Sequence, residues 1–431
     1  MKKVTINKYG EKISTKVNEE ISTEKHGGHT VRSGRKIVDR SKMDQIKTNP
    51  EMNEKLPNQY TGHTYKTEPE KFRLDGHKLI YHLDRVLEWQ KGERIAPVQI
   101  DMGLTKFCNV ACVYCIGVTQ GGMTKGEMIE PLALLRFISD CGRFGVRAIG
   151  FIGDGEPTLN PGLYDAVILG KKLGIDIGMA TNGLLLDMDR AHDMLRDMTF
   201  IRINLSAGDA KGFQKIHQVK ADQFDVLLQK IKTLVRIKKE NNYKCTIGLQ
   251  MVLIPENFDQ VLKLSKLGAD LGVEYLQIKQ CSDTEYKELG IDPADYKKVE
   301  TDLKKAEKFS NKDYLVKVKW NKIDILGETN IYKGGYRKYD ICYGTPFLGQ
   351  ISGNGDVYPC GPFFGKKRFY MGNVNKESYY DIVKSDRYWE VQEDIIKNVD
   401  VHYDCTVGCR QDYINKFLWD IKNPPDHVNF I

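Results

Sequence analysis

Six short apolar runs, each separated from the next by a helical pattern, constrain this chain more than any other feature. The runs are 98–104, 147–152, 175–180, 200–205, 245–253 and 274–279, with helix-period segments at 131–143, 161–173, 187–197, 222–240 and 256–271. Apolar runs of this length read as buried strands. Strands alternating with helices build parallel βαβ units of right-handed crossover, so the sequence predicts an α/β fold, a (β/α)6 barrel or part of one. In such barrels chemistry gathers at the carboxyl ends of the strands, and the loops that follow each strand are where motifs count.

The barrel pattern occupies the middle of the chain. Residues 1–75 are polar and weakly periodic ("STEKHGGHTVRSGRK"), an extended or poorly ordered segment by composition. A core over 76–290 opens with the amphipathic stretch "HKLIYHLDRVLEWQKGE", which places Leu79, His82, Leu83, Val86 and Leu87 on one side of a helix. From 291 to 431 a smaller α+β domain is expected. It comprises a charged helix at 293–309, a hairpin in "QISGNGDVYPC" with a Gly-Asn-Gly-Asp turn, and helices at 378–396 and 410–421. Trp389, Trp419 and His427 stand in this domain as candidate pocket walls.

Charge and hydropathy exclude several classes. The formal net charge is +7, but residues 1–50 hold 12 Lys+Arg against 6 Asp+Glu, so the remainder is almost neutral and no nucleic-acid partner is expected. No apolar run reaches the roughly 20 residues that span a bilayer, and the amino terminus lacks an apolar signal region, so a cytoplasmic protein away from membranes is expected. In that compartment ten cysteines point to metal ligands, catalytic groups or core packing before disulfides.

Three of them, Cys108, Cys112 and Cys115 in "CNVACVYC", follow the first strand at C-x3-C-x2-C. Three thiolates are one short of a tetrahedral zinc site, and no fourth ligand lies nearby in sequence. A cubane iron–sulfur cluster on three cysteines instead keeps one iron open. With Tyr114 before the last cysteine, the motif resembles the radical S-adenosylmethionine (SAM) superfamily signature. "GFIGDGEPTLNP" after the second strand resembles that family's Gly-Gly-Glu motif, with Asp154 where glycine is usual, and "ATNG" at 180–183 matches its Thr-Asn-Gly.

The resemblance covers roughly 98–280 and implies a set of roles. The open iron chelates the amino and carboxylate groups of SAM, and one electron from the reduced cluster releases a 5′-deoxyadenosyl radical that abstracts hydrogen. Glu156 holds the SAM ammonium, Gly153 and Gly155 let backbone approach, and Tyr114 and Asn182 line the cofactor. Ser206, in "INLSAGD", contacts the ribose or carboxylate. On the fifth strand the family's Gly-x-Ile-x-Gly-x-x-Glu is replaced by "GLQMVLIPEN", where Gln250 takes the contact. An electron donor such as flavodoxin or ferredoxin is implied as a partner.

Four further cysteines, Cys342, Cys360, Cys405 and Cys409, suit either a zinc ribbon or a second cluster. Their arrangement resembles the twitch domain, the short form of the SPASM extension, which binds one auxiliary [4Fe–4S] cluster. Four thiolates saturate that cluster, which suits electron transfer. The spacing is similar to that of aminoglycoside-pathway dehydrogenases and epimerases such as 2-deoxy-scyllo-inosamine dehydrogenase. That similarity implies a sugar, aminocyclitol or nucleotide-linked sugar substrate, epimerised or oxidised. Cys281, just past the sixth strand, is the candidate hydrogen donor, with Lys279 and Gln277 beside it as candidate polar contacts, while Cys141 and Cys245 read as core. Two alternatives stand beside this one. A peptide-modifying SPASM maturase commonly carries a winged-helix-like leader-binding domain, for which residues 1–75 have too few apolar positions. A non-enzymatic iron–sulfur or zinc protein would lack the barrel motifs.

Overall fold

The computed structural model describes residues 76–115, 127–281, 289–320, 323, 337–405 and 409–430, and the backbone of four short strands within residues 1–37. Two compact units result, Met1–Arg73 and Leu74–Ile431. In the first, Val4–Ile6 pairs antiparallel with Lys12–Ser14, and Arg32–Ser33 with Lys36–Ile37. The rest of 1–75, expected to be extended, lies outside the described residues.

The second unit is built on one ten-stranded sheet. Its strands are β1 (Gln99–Met102), β2 (Ala148–Phe151), β3 (Asp176–Thr181), β4 (Met198–Asn204), β5 (Thr246–Leu253), β6 (Tyr275–Gln280), β7 (Leu315–Val318), β8 (Leu348–Ile351), β9 (Asp356–Tyr358) and β10 (Gly372–Asn373), in the spatial order β7-β6-β5-β4-β3-β2-β1-β8-β9-β10. From β7 through β1 every neighbouring pair is parallel, as the βα alternation requires. The helices are α1 (Leu83–Gln90), α2 (Pro131–Phe144), α3 (Leu163–Lys172), α4 (Ala191–Asp197), α5 (Ala210–His217), α6 (Gln223–Asn241), α7 (Val261–Leu271), α8 (Tyr296–Glu307), α9 (Tyr379–Lys384), α10 (Asp386–Asn398) and α11 (Asp412–Lys422).

Local chemistry sets the boundaries. Pro131 opens α2 at a position whose N–H needs no helical partner, and Gly145 closes it at φ 72°. Asp209 caps α5 by accepting from Gly212 N, and Ser378 and Ser385 cap α9 and α10 in the same way. The second of these caps splits the single helix expected at 378–396. The amphipathic segment at 77–90 also departs from expectation. A 3-10 turn at His77–Tyr81 precedes α1, and while Leu79 and Val86 are buried, Leu83 and Leu87 are exposed.

Successive strand residues face opposite ways. On the barrel strands one set, including Ile100, Ile149, Ile177, Ile201, Ile247, Leu276 and Val316, joins the main core beneath the helices. The other set faces away from the helices and is largely polar: Asp101, Arg202, Asn204, Gln250, Gln277, Lys279 and Lys317. The strands are therefore buried but two-faced.

Two elements extend the expected six-stranded barrel. β7 adds a seventh parallel strand on β6, Leu315 opposite Tyr275. The expected hairpin forms β8 and β9, and β8 also lies parallel to β1, with Gln350 opposite Asp101. The carboxyl-terminal cysteine region is thus joined to the barrel through the sheet itself. The aromatic residues expected at a pocket pack elsewhere. Trp419 stacks on Tyr343 at the edge of the main core, while Trp89 meets Tyr343 and Phe347 edge-on and Trp389 donates to Val383 O at 2.8 Å around a separate small core. His427 is exposed. Among the described residues no helix is long and apolar enough to cross a membrane.

Candidate active site

The first cysteine loop leaves β1 and leans on the end of α5. Ala111 N–H donates to His217 O at 3.3 Å, Val113 N–H to Ile216 O at 3.0 Å, and Cys115 N–H to Cys112 O at 3.0 Å. Burial pushes the Cys108 thiol up to about 11 and the Cys112 thiol up to about 12. In such surroundings a thiolate is stable only beside a strong cation such as cluster iron.

Cys112 is held from two sides, and both supports start at Ser206. Ser206 N–H donates to His217 Nε2 at 3.1 Å, so the neutral ring carries its proton on Nδ1, which lies 3.1 Å from Cys112 Sγ. His217 is fully buried, and desolvation drives its pKa down to about 3, so it stays neutral. Ser206 Oγ accepts from Val252 N–H at 3.1 Å and lies 3.0 Å from the Tyr114 hydroxyl, which in turn hydrogen-bonds Cys112. Cys108 receives Asn182 Nδ2 at 3.7 Å. Tyr114 and Ser206 are therefore buried parts of the frame behind the sulfur ligands. His217 carried no sequence motif. Its one signal is its place one turn after Phe213, on the buried face of a helix that the sequence reading missed.

Glu156 lies beside this loop, 2% exposed. Its carboxylate accepts from Thr158 N at 3.1 Å, Thr158 Oγ1 at 2.7 Å, Thr181 Oγ1 at 2.6 Å and Asn182 N at 2.7 Å. Burial raises its pKa and these donors oppose the rise; no cation among the described residues pairs with it. A fixed, desolvated carboxylate of this kind suits an ammonium ligand.

The glycines make the cradle. A Cβ on Gly153 would meet Gly103 N at 2.5 Å, and one on Gly155, at φ +66°, would meet Thr105 O at 2.2 Å. A Cβ on Gly353, in the β8–β9 turn, would meet the same Thr105 O at 2.3 Å. Asp154, which stands where a glycine was expected, ties that turn in place. It accepts from Ser352 Oγ at 2.7 Å and Gly353 N at 3.2 Å.

Along the inner face, Gln250 Nε2 donates to Asn204 Oδ1 at 2.9 Å and Gln250 Oε1 accepts from Gln277 at 3.2 Å, an amide ladder across β4, β5 and β6. Lys279 follows on β6, where burial lowers its pKa to about 8. Cys281 is buried with Tyr114, Val252 and Ile254, its Sγ 3.8 Å from Tyr114 O. Cys141 and Cys245 are core residues.

The second cysteine set gathers against β8 and α11. Burial first, and the neighbouring thiols next, push Cys342 up to about 11 and Cys360 well above its usual value; Cys405 rises to about 12. Asn415 Nδ2 reaches Cys342 Sγ at 3.3 Å, and Gln411 N–H reaches Cys409 Sγ at 3.3 Å. Arg410, next to Cys409, pairs with Asp101 of β1 at 2.9 Å. Among the described residues no group of three or more His, Cys, Asp or Glu converges as a cage for a single metal ion. Both sets fit clusters in their chemistry: thiols half-buried or buried, neutral N–H donors aimed at sulfur, and beside the first set a cation-seeking carboxylate.

Comparison with known proteins agrees with this arrangement. Residues 102–268 match the Radical SAM superfamily and residues 342–410 an iron–sulfur cluster-binding domain, SPASM. The chain is 25% identical over 312 residues to the tungsten-containing aldehyde ferredoxin oxidoreductase cofactor-modifying protein of Pyrococcus furiosus, covering 66% of this chain and 80% of that protein. It is 28% identical over 217 residues to a probable GTP 3′,8-cyclase of Saccharolobus solfataricus, covering 50% of this chain and 65% of the cyclase. The fold is similar to that of Streptococcus suis SuiB bound to S-adenosylmethionine, with a TM-score of 0.55 at 16% identity over 82% of each chain. These domains bring a SAM-binding [4Fe–4S] cluster, an auxiliary cluster and SAM as cofactors. The chain carries a radical SAM domain, within which Cys108, Cys112 and Cys115 lie, joined through a shared sheet to a SPASM iron–sulfur domain whose span includes Cys342, Cys360, Cys405 and Cys409.

Proposed function

We propose that this protein is a radical SAM maturase that removes a hydrogen atom from a peptide substrate, after which the substrate radical releases a proton to solvent and would give its electron to the auxiliary cluster. The observation that carries this reading is the shared sheet. β8 pairs directly with β1, and Arg410 beside Cys409 grips Asp101 on the inner face, so the second cysteine set stands next to the barrel interior. The chemistry supplied at the first site is one-electron cleavage of SAM to a hydrogen-abstracting radical. The chain's own residues do the rest. Glu156 anchors the ammonium, Ser206, His217 and Tyr114 fix Cys112, and the polar inner face orients the substrate while the helices keep bulk water out.

Support for a peptide comes from the fold, which is similar to that of SuiB bound to its precursor peptide SuiA, with a TM-score of 0.54 over 82% of this chain. The Pyrococcus relative is named as a cofactor-modifying protein. The sugar, aminocyclitol and nucleotide-linked sugar substrates favoured on sequence find no counterpart among these relatives, nor does the specific likeness to aminoglycoside dehydrogenases and epimerases. Cys281 stays in the reading as a candidate hydrogen donor and Lys279 as a substrate contact.

Anaerobic incubation of the doubly reconstituted enzyme with SAM, a reductant and a peptide library tests the proposal. The expected result is 5′-deoxyadenosine formed one-for-one with peptides about 2 Da lighter, as loss of two hydrogens requires. 5′-Deoxyadenosine formation stimulated by polyols or nucleotide sugars, and by no peptide, would overturn it.

A further inference from the structure

We infer that the inner face of the barrel is an oxyanion site, in which Arg202 and Lys279 grip a carboxylate or phosphate of the substrate. This deepens the reading above and rests on it only in that the barrel admits a substrate.

Arg202 projects from the inner face of β4, 8% exposed, and its Nε has no hydrogen-bond partner. Lys279 projects from the same face of β6. Among the described residues no carboxylate pairs with either. The carboxylate that acts on Arg202 is Asp101, whose oxygens are taken by Arg410 Nε at 2.9 Å and Gln99 Nε2 at 2.6 Å. Burial first, and then the neighbouring cations Arg202, Arg410 and Lys319, lower the pKa of Lys279, with Cys281 acting the other way. Arg202 is buried with its Nε unsatisfied, and a buried cation of that kind is stabilised when an anion completes its shell.

The surroundings have the form of a binding chamber. Arg202 stands opposite Gly248 and Tyr275 in register, while Lys279 lies two inner-face positions further along, opposite Val252. Between those levels runs the ladder of Asn204, Gln250 and Gln277. It spends only part of its hydrogen-bonding capacity, leaving N–H groups on Asn204 and Gln277 for a ligand. Below, Tyr275 folds over Gly248 and Phe200 over Gly178, so closely that a Cβ on either glycine would lie 2.1–2.2 Å from a ring carbon. These two rings form an apolar floor. Above, the chamber runs toward Cys281 and the first cysteine loop. An anionic group at this depth places the neighbouring carbon of the substrate toward the SAM end of the barrel.

Anaerobic thermal melts of the doubly reconstituted enzyme test the inference, with sodium pyrophosphate and sodium glutarate as probes and sodium chloride at matched ionic strength as the control. Wild type should gain about 2 °C or more from at least one probe over the chloride control, with SAM absent or saturating. Arg202→Met removes a buried charge and Lys279→Met a half-buried one, neither paired with a carboxylate among the described residues, and both keep the stem. Each should melt at or above wild type without probe, and should weaken probe binding at least roughly tenfold. Arg202→Lys should retain part of the response. A larger response to glutarate assigns the group to a carboxylate, such as an acidic residue of a peptide; a larger response to pyrophosphate assigns it to a phosphorylated substrate. The inference is overturned if both Met variants melt well below wild type with the probe response unchanged. A response that vanishes when SAM saturates the site would also overturn it, because the cations would then serve the carboxylate of SAM. Neither readout needs turnover, so failure of the peptide reading leaves this result separate.

Discussion

The two cysteine sites use the same ligand and solve opposite problems. At the first, three sulfurs on one loop of eight residues face a desolvated carboxylate, Glu156, that lacks a cationic partner among the described residues. At the second, four sulfurs come from segments some 70 residues apart and are bound back to their own scaffold by Asn415 and Gln411. On the proposed reading, the first site stays incomplete until a zwitterionic ligand arrives and the second is closed by protein alone. An open iron suits bond cleavage, and a saturated cluster suits passing electrons.

The largest effect should come from taking one sulfur from each site. Cys112→Ala should lower iron from about eight to about four per chain and abolish 5′-deoxyadenosine formation. Cys360→Ala should lose the same amount of iron and keep measurable SAM cleavage, while product formation falls by orders of magnitude. Iron analysis beside product chromatography reads both. Equal loss of SAM cleavage in the two variants would erase the distinction between them.

Next in size is Glu156→Gln. The amide keeps the shape and gives up the charge, so SAM binding should weaken about tenfold or more, as expected for a charge-assisted hydrogen bond. The fold should melt somewhat lower, because the amide NH2 meets a backbone N–H, of Asn182 or of Thr158, that donates to the carboxylate in wild type. Equilibrium dialysis with SAM and a melt of the same sample separate the two effects. Unchanged SAM affinity would leave Glu156 as a loop brace, held by Thr158, Thr181 and Asn182 for structure alone.

Asp154→Ala is a smaller change that addresses how the two sites are joined. It removes the acceptor of Ser352 Oγ and Gly353 N, the bonds that hold the β8–β9 turn against the loop after β2. A loss of about 1–2 kcal/mol is expected, read as a lower Tm, with coupling between SAM cleavage and product formation falling more than SAM cleavage itself. If coupling is unchanged, the sites communicate by another route.

Legibility in sequence followed locality. The six strands could be read because each presents Ile, Leu, Val or Met to the helices at every second position, as Ile201 and Ile203 do. What those runs concealed was their other face: Arg202, Asn204 and Lys279 sit inside apparently apolar segments and line the chamber. β7 escaped notice because "LVKV" is short and carries its lysine inward. The pairing of β8 with β1 joins residues about 250 apart in sequence, and no local pattern reports it. The cysteines were legible because cluster chemistry imposes their spacing. His217 was not, because its role comes from a backbone N–H donated by Ser206, eleven residues away, which selects the tautomer that faces Cys112.

That tautomer supports the finest test of the comparison. An N–H donated to a ligating sulfur favours the reduced, more negative cluster and so raises its potential. His217→Leu should lower the potential of the first cluster by about 40 mV, the one-electron equivalent of a hydrogen bond worth roughly 1 kcal/mol. Asn415→Leu should do the same to the second cluster, and neither should move the other's potential in redox titrations followed by electron paramagnetic resonance. pH provides the control. Burial holds His217 near a pKa of 3, so its neutral form persists from pH 5 to 9 and the potential of the first cluster should be flat across that window. A fall of about 59 mV per pH unit, abolished in His217→Leu, would mean that the ring takes up a proton with the electron. The first site would then be a proton-coupled centre, and the contrast with the second would rest on charge transfer as much as on an open iron.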